Sequence, residues 1–155
     1  MSIRPTWDQY FMGLAHYVSI RSHDEQTKVG CVVVNKDNHI LSMGYNGFPQ
    51  GVNDALLPTK RPEKYPFMVH AEENAISNLA AITGESLKIY LTHDPCYRCA
   101  KLLWQNKIRQ WFIEKESIVA SRTNDDIKVY NLLLDSGLDR TEIVTDTSLF
   151  IGDPK

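Results

Sequence analysis

The chain has 155 residues, 43% of them hydrophobic, and its 17 basic and 19 acidic residues leave a net charge of −2. This length predicts a single domain over residues 1–155, with enough apolar side chains for a core. The nearly balanced charge argues against a polynucleotide partner, which usually needs a basic surface. The sequence has no apolar run of about 18 residues and no long apolar stretch at its start, so we expect no membrane span, no signal peptide and a cytoplasmic location.

The first half of the chain predicts one helix, a β-hairpin and a long loop. Residues 6–19 carry apolar side chains at spacings of three and four, which is typical of one helix face. A β-branched run at 29–35 and an apolar run at 39–45 are separated by a short polar turn, which predicts two paired strands. Residues 46–67 are rich in Gly and Pro and predict a long loop, and such loops are usually functional or mobile.

The second half alternates helices and strands. Composition and apolar spacing predict helices at 70–82, 96–106 and 125–136, and strands at 87–93, 108–114 and 141–145. The whole order is then α-β-β-α-β-α-β-α-β. It predicts an α/β fold on a mixed five-stranded sheet, in which an antiparallel pair comes first. The later strands are expected to be parallel, because β-α-β crossovers join parallel strands.

One His and two Cys residues stand at predicted starts of helices. His70, Cys96 and Cys99 together offer one nitrogen and two sulfur ligands. That donor set suits Zn²⁺, and three protein ligands leave the fourth position open for water. Because Cys96 and Cys99 are three positions apart, they point the same way in a first helical turn. The sequence therefore predicts one catalytic zinc site.

Glu72 follows His70 by two residues and is the predicted proton carrier. The pattern His-x-Glu, followed by Pro-Cys-x-x-Cys, is the established signature of zinc-dependent nucleobase deaminases. Two alternatives are a structural zinc site and a redox pair of cysteines. A structural site needs a fourth protein ligand, for which His93 and His16 are candidates without the usual spacing. A redox pair leaves His70 and Glu72 unexplained.

Four longer motifs carry a family resemblance: "RSHDEQTKVG", "ILSMGYNGFPQG", "HAEENAI" and "DPCYRCAKLL". With them the chain resembles the deoxycytidylate (dCMP) deaminases of the cytidine deaminase superfamily, and "GYNGFP" distinguishes these from nucleoside, tRNA and guanine deaminases. The resemblance implies a three-layer fold with helices on both faces of the sheet. It also implies hydrolysis of dCMP to dUMP and ammonia for thymidylate synthesis, by a homohexamer that dCTP activates and dTTP inhibits. Mg²⁺ would accompany the regulatory triphosphate.

The resemblance also assigns roles to individual residues. It implies zinc ligation by His70, Cys96 and Cys99 and proton transfer by Glu72. Substrate phosphate and sugar would be bound by Arg21, Ser22, Asp24, Thr27, Asn46 and Tyr130. The regulatory nucleotide would bind at Gly44, Tyr45, Asn46 and Gly47. Residues 47–69 contain no Cys or His for a second, structural zinc, so one zinc per chain is expected.

Several of these residues have a simpler interpretation. The Asn46-Gly47 pair is also a common turn, and Arg21 is also a plain solvated charge at a helix end. Tyr130 has the spacing of a helix core face. His23 stands where similar enzymes usually have Lys or Arg, which weakens the local positive charge at neutral pH. The rival functions are a nucleoside deaminase, which needs no phosphate-binding Arg, and a polynucleotide deaminase or zinc-dependent binding module, which needs a basic stripe.

Overall fold

The structure of the protein is a computed structural model, which describes residues 4–80, 85–117, 123–146 and 148. Its helices are α1 (Trp7–Ser19), α2 (Ala71–Ser77), α3 (Tyr97–Gln105) and α4 (Asn124–Asp135). Its strands are β1 (Gly30–Val34), β2 (Ile40–Tyr45), β3 (Leu87–Leu91), β4 (Ile108–Glu114) and β5 (Asp139–Ile143). The predicted order of helices and strands is confirmed.

Several predicted boundaries are wrong, among them the ends of β3 and β5, which were predicted two residues too late; two others have a clear structural reason. The helix predicted over 70–82 ends at Ser77, where Asn78 takes the C-cap position and its N–H bonds back to the carbonyls of Asn74 and Ile76. The last part of the prediction, residues 81 and 82, lies outside the described residues. The last strand begins at Asp139, two residues before the predicted start at Thr141, because it pairs there with Gln110 of β4.

The five strands form one mixed sheet in the order β2-β1-β3-β4-β5. Strand β1 is antiparallel to both of its neighbours, with Cys31 opposite Gly44 on β2 and Leu91 on β3. Strands β3, β4 and β5 are mutually parallel, as predicted. The start of β1 therefore lies beside the C-terminal ends of β2, β3 and β4. Side chains from distant parts of the sequence meet at this end of the strands.

The sheet is covered by helices on both faces, so the expected three-layer architecture is confirmed. Helix α1 packs on one face through Phe11, Met12 and Ala15. Helices α2, α3 and α4 pack on the other. All five residues of β1 are buried, which explains its unbroken run of apolar residues, because a strand covered on both faces has no solvent-facing side. None of the described helices has the length and apolar character needed to cross a membrane.

Helix α2 lies directly on strand β2 at Gly44. A Cβ at this position would be 2.1 Å from the carbonyl oxygen of Ala71 and 2.6 Å from the backbone nitrogen of Ala75. Ser42 holds the same helix two residues earlier, since its hydroxyl donates to the carbonyl of Ala75 at 2.6 Å. The close approach fixes the start of α2, which carries His70 and Glu72, against the sheet.

We expect Gly44→Ala to destabilise the protein by about 3 kcal/mol, at the upper end for overpacking, because the added methyl group meets backbone atoms that cannot rotate away. Urea unfolding measures the change. The matched control is Met43→Ala, since Met43 is 48% exposed on the opposite face of the strand, and a change of about 0.5 kcal/mol is expected there. Equal stability of Gly44→Ala and the unmodified protein would show that α2 can move away from β2.

Candidate active site

The three predicted metal ligands come from the starts of two helices. His70 is the N-cap residue of α2 and Cys96 is the N-cap residue of α3, both with extended backbone angles. Cys99 follows in the first turn of α3 and is buried. The backbone N–H of His70 donates to the Glu73 carboxylate at 2.7 Å, which fixes the turn that enters α2. The N-cap geometry therefore presents the side chains of both helix starts to the same space.

The ligand atoms of His70, Cys96 and Cys99 lie within 4.8 Å of one another. His70 Nδ1 is 3.7 Å from Cys96 Sγ and 3.4 Å from Cys99 Sγ. A tetrahedral zinc ion with normal Zn–N and Zn–S bonds separates nitrogen from sulfur by about 3.6 Å. The three residues therefore fit Zn²⁺. Within the described part of the chain, neither His93 nor His16 belongs to this cluster, so it does not support a structural site with four protein ligands.

Hydrogen bonds within the ligand cluster shift the pKa values of its members. A hydrogen bond with the Cys99 thiol, supported by His70, lowers the pKa of Cys96 to about 4 despite its burial. A hydrogen bond with Cys96 raises the pKa of His70 to about 9. Zinc is bound by cysteine thiolates and neutral imidazole, so its binding releases protons from such ligands.

Glu72 lies beside the cluster and is 3% exposed. Burial raises the pKa of its carboxyl group to about 6, although the charge on His70 opposes the shift. A carboxyl group whose pKa lies near neutrality can both accept and return a proton at low cost. This property is the one that the predicted proton carrier requires.

A cavity of about 230 Å³ opens beside Glu72 and the metal cluster. Among the predicted substrate-binding residues, Asp24, Thr27 and Asn46 line it. Arg21 is exposed and does not line the cavity. Ser22 is buried and its hydroxyl accepts the N–H of Asp24 at 3.2 Å. The structure therefore brings three of these residues to the cavity, and Ser22 contributes a hydrogen bond to the backbone of Asp24.

Tyr130 occupies a core position. It is 3% exposed, and its ring packs edge-to-face on Trp111. Its hydroxyl donates to Asp94 at 2.7 Å, and Asp94 lines the cavity. Arg140 also binds Asp94, with 3.1 Å from its guanidinium to each carboxylate oxygen. Tyr130 is thus connected to the cavity through Asp94.

The predicted regulatory segment has mixed surroundings. Gly44 is packed against α2, and Tyr45 is half-buried at the end of β2, where its carbonyl accepts from Asn74 at 2.7 Å. Asn46 uses its side-chain amide within the fold, since it accepts from Val29 N at 2.8 Å and donates to Thr27 O at 2.9 Å. The amide therefore holds two segments of the cavity wall together.

Several cavity residues were not anticipated from the sequence, among them three with basic or imidazole side chains. Arg61 and Lys64 come from the long loop, and His93 comes from the segment between β3 and α3. The Gly- and Pro-rich composition of the loop indicated function, but it gave no periodicity from which side-chain positions could be predicted. His93 was considered only as a fourth metal ligand.

Asp24 and Lys64 form a buried ion pair at the cavity. Lys64 Nζ lies 2.6 Å from Asp24 Oδ2, and each side chain is 4% exposed. Burial raises the pKa of Asp24. The Lys64 ammonium group and the N–H groups of Thr27 and Gln26 outweigh it, so the pKa lies below its ordinary value of 3.8. The pair joins the loop to the segment that follows α1.

We expect Lys64→Met to lower the free energy of unfolding by about 3–5 kcal/mol, because the Asp24 carboxylate is left buried without its cation. The folded-state pKa of Asp24 is depressed, so its contribution to stability is present above pH 3.8 and is lost as pH falls through the folded value. The control is the double variant Asp24→Asn with Lys64→Met, in which neither charge remains. Urea unfolding at neutral and acidic pH should show that the double variant loses less free energy of unfolding than Lys64→Met. Its stability should also depend less on acidic pH. A double variant as unstable as Lys64→Met would contradict this account.

The model of one protein family, the "Cytidine and deoxycytidylate deaminase zinc-binding region", matches residues 5–115. The chain belongs to this family. Among its relatives is the deoxycytidylate deaminase of Mycobacterium phage D29, which is 35% identical over 127 residues, covering 74% of this chain and 98% of the phage protein. The deoxycytidylate deaminase of Mus musculus is 40% identical over 110 residues, or 67% of this chain. This chain spans 62% of the mouse protein's length.

A solved structure of a dCMP deaminase has the same fold. The dCMP deaminase of cyanophage S-TIM5, in complex with dCMP and dUMP, is 26% identical and superposes with a TM-score of 0.71. The superposition covers 91% of this chain and 99% of the phage chain. Family membership and fold therefore agree with the cluster of metal-ligating residues.

Proposed function

We propose that this protein is a zinc-dependent dCMP deaminase, which hydrolyses dCMP to dUMP and ammonia. The observation that carries the proposal is the buried carboxylate of Glu72 beside the cluster of His70, Cys96 and Cys99, in one cavity. The proposal is supported by the names of the relatives in phage D29 and mouse and by the nucleotides in the cyanophage complex.

The proposed reaction divides the work between metal and protein. His70, Cys96 and Cys99 would hold Zn²⁺, which would supply the Lewis acidity that makes water more acidic. Glu72 takes a proton from the attacking water and passes it to the ring nitrogen beside the amino-bearing carbon. The water oxygen bonds to that carbon, and the double bond from the carbon to the ring nitrogen becomes single. Glu72 then takes the remaining proton of this oxygen and delivers it to the amino nitrogen. The bond from the carbon to that nitrogen breaks as the carbonyl forms, so ammonia leaves and the carboxylate is restored.

The position of Arg61 supports the proposal that the substrate carries a phosphate group. Lys64 is neutralised by Asp24, whereas the Arg61 guanidinium donates to the hydroxyl of Thr27, a neutral group at the cavity wall. A guanidinium has five N–H donors, so donors remain after this bond. Its planar fork matches the oxygens of a phosphate group. We therefore propose Arg61 as a phosphate-binding residue, because it lines the cavity, whereas Arg21, for which the family resemblance implies that role, does not.

Arg61→Gln is expected to raise the KM for dCMP by about ten- to a hundredfold, because a charged hydrogen bond to phosphate contributes roughly 1.5–3 kcal/mol. Deoxycytidine turnover should be unchanged, since that nucleoside has no phosphate. Lys60→Gln is the matched control: Lys60 is the preceding residue and pairs with Glu25, outside the cavity. Steady-state kinetics on both substrates measure the effect. An equal rise of KM for deoxycytidine would exclude a contact between Arg61 and the phosphate.

The direct test of the function is ammonia release from dCMP by protein whose zinc content has been measured. Deoxycytidine and a single-stranded oligonucleotide serve as competing substrates. Preference for dCMP supports the proposal. Equal rates on deoxycytidine would favour a nucleoside deaminase, and turnover of the oligonucleotide alone would favour a polynucleotide enzyme.

We further propose activation by dCTP with Mg²⁺, inhibition by dTTP, assembly into a homohexamer, and a cytoplasmic role in supplying dUMP for thymidylate synthesis. The regulatory nucleotide would bind around Gly44, Tyr45, Asn46 and Gly47. Assembly is supported by large apolar side chains on the surface, among them Tyr17 and Leu56, which are 72% and 79% exposed. Light scattering tests the assembly, and assays with each triphosphate test the regulation; a monomer insensitive to both would refute these two proposals and leave the catalytic one in place.

A further inference from the structure

His93 lines the cavity together with Glu72 and Cys96, yet neither the metal cluster nor the proposed proton transfer uses it. It lies two residues after the end of β3, next to Thr92, whose backbone N–H donates to the carbonyl of Gly30 at 3.1 Å. Its Nδ1 lies 2.9 Å from the hydroxyl oxygen of Thr92. The two ring nitrogens of a histidine have different roles, and the partner of one decides what the other can do.

The hydrogen bonds of Thr92 determine which nitrogen of His93 carries the proton. The Thr92 hydroxyl oxygen accepts the backbone N–H of Gly30 at 3.0 Å, and Thr92 is buried. Among the residues that the structure describes, its only other partner is His93 Nδ1. A buried hydroxyl proton needs an acceptor, so Thr92 donates to Nδ1. The proton of the neutral ring is therefore on Nε2.

The surroundings of His93 favour the neutral form of its ring. Burial lowers the pKa of its imidazole, and the neighbouring His16 lowers it further. A neutral ring with an acceptor nitrogen at Nδ1 has one donor, Nε2–H. No hydrogen bond joins Nε2 to any residue within the described ranges. The side chain thus offers a hydrogen-bond donor of fixed tautomer at the wall of the cavity.

We propose that His93 is a substrate-binding residue, which donates a hydrogen bond from Nε2 to an oxygen of the bound nucleotide, and that Thr92 is the positioning residue that fixes its tautomer. This inference rests on the proposed function, because it takes a nucleotide as the occupant of the cavity. The acceptor is either the carbonyl oxygen of the cytosine ring or a phosphate oxygen.

The kinetic test compares His93→Phe with His93→Gln in zinc-loaded protein. Phenylalanine keeps a planar ring without the donor, whereas the glutamine amide can place an N–H near the position of Nε2. We expect kcat/KM for dCMP to fall about tenfold in His93→Phe and to stay within about threefold in His93→Gln. An equal loss in both variants, or no loss in His93→Phe, would overturn the inference.

Substrate analogues distinguish the two acceptors. If His93 binds phosphate, the tenfold loss in His93→Phe disappears when deoxycytidine replaces dCMP. If it binds the ring carbonyl, the loss persists with deoxycytidine and shrinks with 2-thio-dCMP, whose sulfur is a weaker acceptor. A loss that is the same for all three substrates would show that the ring acts through packing alone, which also overturns the inference.

A second measurement does not depend on turnover. Nuclear magnetic resonance of zinc-loaded protein labelled with nitrogen-15 histidine reports the tautomer, and His93→Phe assigns the signal. We expect the proton on Nε2 and a shift of this signal when dUMP is added. A proton on Nδ1, or no shift at saturating dUMP, refutes the role of His93. Unmodified protein that binds dUMP but releases no ammonia would instead refute the proposed function and leave the binding role in place.

Discussion

Glu72→Gln should lower kcat for dCMP by about a thousandfold or more, while the protein keeps one zinc ion per chain. The amide has nearly the shape of the carboxylate but cannot accept a proton from water or pass one to the base, and general acid–base groups contribute about 10²–10⁴ in rate. Glu72 is buried beside the metal cluster without being a member of it. Glu72→Gln should therefore lose activity without losing zinc. Steady-state assays and elemental analysis of the same preparation measure the two.

Glu73→Gln is the matched control, since Glu73 is the next carboxylate on the same helix and, among the described residues, its carboxylate accepts the N–H of His70 alone. A glutamine oxygen can accept the same bond, so activity and zinc content should both be retained. Loss of zinc from Glu72→Gln would show that Glu72 supports the metal and would contradict its assigned role. Activity in Glu72→Gln near that of the unmodified protein would require a different proton carrier.

Cys99→Ala should lose both zinc and activity. The substitution leaves His70 and Cys96 as the two remaining ligands, and a two-ligand site cannot compete with the three-ligand arrangement that the structure brings within 4.8 Å. We expect less than about a tenth of a zinc ion per chain and a loss of kcat of about a thousandfold. The thermal stabilisation given by added zinc should also disappear, because binding to the folded state no longer contributes to stability.

Cys31→Ala separates metal loss from the general effect of removing a buried thiol. Cys31 is fully buried, and its thiol donates to the Ala71 carbonyl at 3.3 Å, outside the metal cluster. This variant should lose some stability and keep one zinc ion per chain. If Cys31→Ala lost zinc as completely as Cys99→Ala, the assignment of the ligands would be wrong. Full zinc retention in Cys99→Ala would also contradict the assignment of Cys99 as a ligand.

The metal cluster could be predicted because its determinants are local. The two cysteines share one helical turn, and His70 and Glu72 share another, so spacing along the sequence fixes most of the geometry. The buried strand β1 was equally predictable, since its apolar run has no polar alternation. The tyrosine at position 130 also behaved as its helix spacing indicated, because it lies in the core.

The loop side of the cavity could not be predicted in the same way. The ion pair of Asp24 and Lys64 joins residues that are 40 positions apart, and neither residue lies in a periodic element. The same holds for the bond from Arg61 to Thr27. Such contacts depend on the path of the loop through space, which local propensity does not determine. Helix α2 was predicted too long for a related reason, since its composition continues to favour a helix beyond the cap at Asn78.

The two ends of the long loop are pinned to each other. Gly47 N donates to Val69 O at 3.0 Å, and Val69 N donates to Gly47 O at 2.7 Å. The loop therefore leaves and rejoins the fold at one point, so exposed parts of it can change in length without moving the sheet or the helix start that carries His70. Arg61 and Lys64 both belong to this loop, and the buried pair with Asp24 makes Lys64 the residue that a grafted loop must keep. If Arg61 selects the substrate as proposed, loop grafting that retains Lys64 exchanges substrate preference as a cassette and leaves the metal cluster unchanged.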